Sequence, residues 1–183
     1  MNTQEVASLV LMYGVVPLWI AAGLADWACH RRTRIERTSG LGENALHWVL
    51  LAEGGVALFA AVLLEPDAGV LLIVFAAFLA HELTTYMELR YTARRRQIRP
   101  FEQMVHSYME LLPLVLLALL AMMNWDQVMA LFAQDTPDLD MRLKDVPWPR
   151  DYLLGAGIAV LLLNVVPLVE ETWRCLRERR PYA

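Results

Sequence analysis

Residues 43–64 read ENALHWVLLAEGGVALFAAVLL. At ~1.5 Å rise per residue this stretch is long enough to cross a hydrocarbon layer of ~30 Å as a helix. Yet it carries Glu43, His47 and Glu53. Glu43 and His47 are four residues apart, which puts both on one helical face. Ionisable groups at bilayer depth are costly and normally face a bundle interior, paired with something.

The same pattern recurs on both sides. Asp26 precedes His30 by four residues, Glu102 precedes His106 by four, and His81 precedes Glu88 by seven. All four histidines of the chain therefore share a helical face with a carboxylate. Glu110 continues the Glu102–His106 face by one more turn. The arrangement has a degenerate internal duplication: two helix pairs, each joined by an arginine-rich loop.

Five apolar runs cover roughly 6–28, 43–64, 69–89, 102–124 and 152–170. Hydrophobic residues make up 57% of the 183, and mean hydropathy is +0.38. That is too apolar for a soluble domain of this size. The reading is an all-α polytopic membrane protein with five transmembrane helices, the first four forming a metal-binding bundle over 1–124. Residues 125–150 form an extracytoplasmic acidic connector, and 151–183 hold the fifth helix with a basic cytoplasmic tail. DQVMALFA in the connector has the makings of a short interfacial helix, with Trp125 and Trp148 at headgroup level.

Arginines cluster after the first run (Arg31, Arg32, Arg34, Arg37), after the third (Arg90, Arg94, Arg95, Arg96, Arg99) and in the tail (Arg174, Arg177, Arg179, Arg180). The positive-inside rule then sets the N-terminus outside and the C-terminus in the cytoplasm of, we expect, a bacterial inner membrane. The N-terminus has no positively charged n-region, so the first run reads as a retained helix rather than a signal peptide. A net charge of −4 gives no ground for a nucleic-acid partner. Cys29 and Cys175 are far apart and read as free thiols.

Counting inward from the arginine loops, His30, Glu43, Glu88 and Glu102 lie near the boundary, and Asp26, His47 and His106 one turn deeper. His81, Glu82, Glu110 and Glu53 lie deeper again. Imidazoles and carboxylates from four helices make a carboxylate-rich transition-metal ligand set. The expected ligands are Asp26, His30, Glu43, His47, His81, Glu88, Glu102, His106 and Glu110, holding two or three ions. Iron is favoured, with zinc or manganese as alternatives. Glu53, followed by Gly54 and Gly55, is expected to meet His81 or Glu110. It and Glu82 are assigned as outer-sphere groups or ligands to an additional ion. Tyr86 and Tyr108 are expected near the site as packing residues, and Trp27 and Trp48 as interfacial anchors. The fifth helix, ionisable only at Glu170 and Glu171 near its end, is expected to pack outside the site.

The ligand pattern resembles the ferritin-like di-iron carboxylate proteins, whose bundle supplies a Glu from two helices and a Glu-x-x-His pair from two others. The resemblance implies that Glu43–His47 and Glu102–His106 play the Glu/His role, with Asp26 and Glu88 as the remaining carboxylates. This chain departs from the family in its E-x3-H spacing and in the extra His30 and His81.

Such a centre suits oxidoreduction of a lipid-soluble substrate or quinone. The alternatives are a zinc-dependent membrane hydrolase, or metal transport, storage or sensing without catalysis. Haem is disfavoured, because each histidine has a carboxylate neighbour and all lie toward one side. No catalytic residue is assigned. The expected surroundings are the bilayer, with homo-oligomerisation left open.

Overall fold

A computed structural model describes residues 3–133, 137, 139–145 and 147–178. Part of the acidic connector, and Arg179 and Arg180 of the basic tail, lie outside the described residues. Among those described, the regular structure is helical: α1 (Thr3–Thr33), α2 (Gly40–Leu63), α3 (Ala68–Thr92), α4 (Pro100–Met123), a short α5 (Trp125–Ala130) and α6 (Arg150–Glu178). All but α5 are long and apolar enough to cross a membrane.

Local chemistry ends these helices where the apolar runs end. Arg34 caps α1 in the left-handed region (φ 54°), with its N–H bonded to the His30 carbonyl. A 3-10 turn, Ile35–Arg37, follows, and Gly40 takes φ 61° to start α2. Asp67 caps α3, its carboxylate accepting from the Val70 N–H at 2.9 Å. Pro100 opens α4 at a position where its missing N–H costs nothing.

α1 and α6 share a local device. Each carries Val-Val-Pro-Leu (residues 15–18 and 165–168), and each has a π-helical turn immediately before it, at Leu11–Val15 and Leu161–Val165. A helical proline removes one backbone hydrogen bond and its ring crowds the preceding turn; widening that turn accommodates both.

α2 packs most extensively on α3, α1 on α4, and α3 on α4, giving a four-helix bundle; α6 lies across α1 and α2. The apolar core occupies the end away from the arginine-rich loops and includes Leu11, Val15, Val70, Val74, Leu112 and Leu116. Ala57, Ala60 and Ala61 give α2 a small-residue face for close approach, which dispersion contacts require where lipid offers no hydrophobic drive. Large apolar side chains such as Phe59, Leu79 and Leu83 point outward, and the buried polar groups collect inside. That inverted distribution is the one expected of a chain in lipid.

The connector is docked as well as linking. Lys144 N–H and Nζ bond the Leu63 and Ala61 carbonyls at 2.9 and 2.7 Å, and Glu65 N–H bonds Arg142 O at 2.8 Å. Carbonyls left open by the end of α2 are thus satisfied. Burial lowers the Lys144 pKa, partly offset by Glu65.

Candidate metal centre

At the arginine-rich end the bundle holds a buried polar cluster instead of an apolar core. Helix α1 supplies Asp26 and His30, α2 supplies Glu43 and His47, and α4 supplies Glu102 and His106. Each pair spans one helical turn, so each helix delivers an imidazole and a carboxylate together.

His30 is the hub. Its Nε2 lies 3.4 Å from Asp26 Oδ1, 3.5 Å from Glu43 Oε1 and 3.5 Å from Glu102 Oε1. None of these is a hydrogen bond, and Nε2 is left without a partner in a side chain that is 1% exposed. On the other edge of the ring, Nδ1 lies 3.0 Å from Glu171 Oε2. His106 Nε2 lies 2.9 Å from Asp26 Oδ1. The His47 ring stacks on His30 with centroids 4.5 Å apart, and its Nδ1 is 3.4 Å from Glu171 Oε1.

Two groups have donor atoms close enough to share an ion. Asp26, His30, Glu102 and His106 form one; His30, Glu43 and His47 form the other; within each, the donors lie within 4.8 Å of one another. Donors bound at ~2.1 Å to one ion stand about 3.0–3.4 Å apart across an octahedral or tetrahedral edge. The separations around His30 Nε2 are of that size. The donor set, imidazole with carboxylate oxygen, suits iron, manganese or zinc.

Electrostatics point the same way. Asp26, Glu43, Glu102 and Glu171 are all buried around His30. Arg96, from the loop between α3 and α4, reaches in and bridges Glu43 and Glu102; its Nε lies 3.0 Å from Glu43 Oε2 and its Nη1 3.0 Å from Glu102 Oε2. Burial opposes the guanidinium charge, but the two carboxylates more than offset it and hold its pKa above the ordinary value. One guanidinium does not balance four carboxylates, so the rest of their charge is met by protons on His30, His47 and His106 or by a bound cation.

Several expected residues lie apart from these groups. Glu88 is buried and accepts from Thr92 Oγ1 at 2.6 Å. His81 lies deeper, with Nδ1 3.9 Å from Glu53 Oε2, while Glu53 Oε1 accepts from Thr84 Oγ1 at 2.8 Å. His81 Nδ1, Glu53 Oε2 and Glu82 Oε1 have no hydrogen-bond partner. Glu110 is half-buried and outside both groups. Tyr86 and Tyr108 are exposed on the outer face of the bundle, not near the cluster: the helical twist turns both away from it.

The sequence reading misplaced α6. Far from packing outside the site, it inserts Glu171, which contacts His30 and His47 and accepts from Asn44 Nδ2 at 3.0 Å. Trp27 and Trp48 donate to Glu170 and Thr172 at 3.0 Å and so clamp the same helix. Pro167, Glu171 and Cys175 are the buried residues of this segment and recur every four positions, a single face that only the burial picks out. Arg96, counted among the topology-setting arginines, is the other missed member. Nothing local distinguishes it from Arg94 and Arg95.

No family model, curated protein or solved structure matches the chain. Fold and site define it as an all-helical protein with five helices able to cross a membrane and a buried His/Asp/Glu cluster at one end.

Proposed function

We propose that this protein is a membrane metalloprotein with a dinuclear carboxylate/histidine centre, acting as an oxidoreductase on a lipid-soluble substrate. The observation that carries the metal reading is the unpartnered Nε2 of His30. With Nδ1–H donated to Glu171, Nε2 would present a lone pair to three carboxylate oxygens; Arg96 Nη2 contacts Glu43 Oε1 and Glu102 Oε1 and His106 contacts Asp26 Oδ1, and a cation at Nε2 would complete the balance. Glu171–His30 is then the carboxylate–histidine arrangement that fixes the tautomer and raises the basicity of a metal-binding imidazole.

Asp26, His30, Glu102 and His106 would hold one ion through the single lone pair of His30 Nε2, and Glu43 and His47 would offer donors to a second beside it. Bound iron or manganese would supply one-electron chemistry. Around it, Glu171 orients His30, Arg96 offsets part of the carboxylate charge, and the helix packing limits water. With arginines on the cytoplasmic side, the N-terminus is outside and the centre lies in the cytoplasmic half of the bilayer, the inner membrane if the source is bacterial.

Metal quantification on purified protein, with an absorption spectrum and paramagnetic resonance before and after reduction, tests the proposal. We expect about two first-row metal ions per chain, the second beside the one that His30 holds, and a spectrum that responds to reductant and oxygen. Metal-free protein with native stability would overturn the centre. Zinc-loaded, redox-silent protein would overturn the oxidoreductase and favour the hydrolytic alternative.

A further inference from the structure

A cavity of about 140 Å³ runs between α1, α2 and α6 from the His30 cluster into the apolar part of the bundle. Along α1 it reaches from His30 to Val16, roughly 21 Å at ~1.5 Å per residue, so it is long and narrow. Val16, Ile20, Leu51, Leu58 and Val160 line its length. Asp26, His30, His47 and Glu171 close one end. Two other polar side chains border it. Asn164 is engaged with the Ile20 carbonyl at 3.1 Å, and His81 is buried edge-on to Trp19. Apart from His81 Nδ1, which has no hydrogen-bond partner, the polarity is concentrated at one end, as a chain with a small polar head requires.

Glycines shape the wall. Gly54 and Gly55 border the cavity, and a Cβ at Gly54 would come within 3.0 Å of the Trp19 ring. Gly55 is exposed, and a Cβ there would meet nothing within 4 Å. The opening is thus on the side of α2 that lies among outward apolar residues such as Val56 and Phe59, where lipid would lie. Among the described residues no arginine or lysine lines this cavity, whereas Asp26 and Glu171 do, so its metal-free polar end disfavours an anionic head.

We propose that this cavity binds one hydrocarbon chain, admitted sideways from the bilayer past Gly55, with an uncharged oxygen-bearing head against Asp26, His30 and His47. The inference rests on the metal-centre reading in taking that head as the group acted upon; the binding itself stands without it.

The test uses full-length protein in phosphatidylethanolamine/phosphatidylglycerol vesicles and a long-chain primary alcohol with a mid-chain diazirine. Photolabelling should mark the peptides holding Gly54–Leu58 and Val160–Leu168. Unlabelled alcohol should compete, and in chelator-treated protein the matching fatty acid should not. Gly55→Phe projects a ring into the open space and should lose most of the label while its metal content stays at the wild-type level. Leu58→Trp serves the same purpose if Gly55→Phe fails to insert. Undiminished labelling in the filled variants would overturn the cavity proposal even with metal bound, and equal competition by the fatty acid would overturn the uncharged head. Metal-free protein whose label is lost on filling would sink the metal centre alone and leave the cavity standing.

Discussion

Glu171 Oε2 and His30 Nδ1 meet at 3.0 Å, joining the first and last membrane-length helices through the centre of the polar cluster. The contact turns a peripheral-looking helix into a support for the site. It also decides which nitrogen of His30 faces the three carboxylates.

Glu171→Gln should keep the packing of α6 and weaken the orientation of His30. Loss of such an outer hydrogen-bond partner typically costs 10–100-fold in metal affinity, and we expect about that range here. Chelator competition on purified protein measures it. An unchanged affinity would show that Glu171 serves packing alone.

The two ligand groups share His30 but divide His47 and His106 between them. His30→Ala removes the one residue common to both groups and should lower metal content furthest, whereas His106→Ala should chiefly empty the first position and His47→Ala the second. Metal-to-protein ratios separate the three variants. Both His47→Ala and His106→Ala should also lower thermal stability, because each leaves buried carboxylates with one partner fewer. Full metal content and native stability in both would refute the assignment.

Arg96→Met removes the guanidinium and leaves Glu43 and Glu102 facing each other. Breaking a buried ion pair by removing one partner costs about 3–5 kcal/mol. The metal-free variant should unfold at a clearly lower temperature, and added divalent metal should recover part of the loss. Arg96→Lys keeps the charge but cannot span both carboxylates with a planar fork, so it should fall between the two. A Met variant as stable as wild type would mean that the bridge contributes little.

Reporter fusions at the two ends test orientation. The arginine distribution predicts an external N-terminus and an internal C-terminus. An internal N-terminus would place the cluster in the opposite leaflet.

Much of this protein is written locally. Five apolar runs, the Glu65-Pro66-Asp67 break and Pro100 at a helix start place the helices, because length, hydropathy and capping act over a few residues. The four-residue spacing of Asp26–His30, Glu43–His47 and Glu102–His106 likewise announces three faces that must turn inward, since lipid offers their charges no partner. What spacing cannot express is which face meets which. His81 and Glu88 share a face along α3, yet His81 stands beside Glu53 and Glu88 beside Thr92, because helix contacts at each depth choose the neighbours. Arg96 and Glu171 carry their meaning only in three dimensions. One is an arginine in a run of three and the other a glutamate near a helix end, until loop and helix packing bring both against residues more than fifty positions away. The sequence by itself determined the helices and their polar faces; the packing of α6 and the reach of one loop arginine decided the centre those faces build.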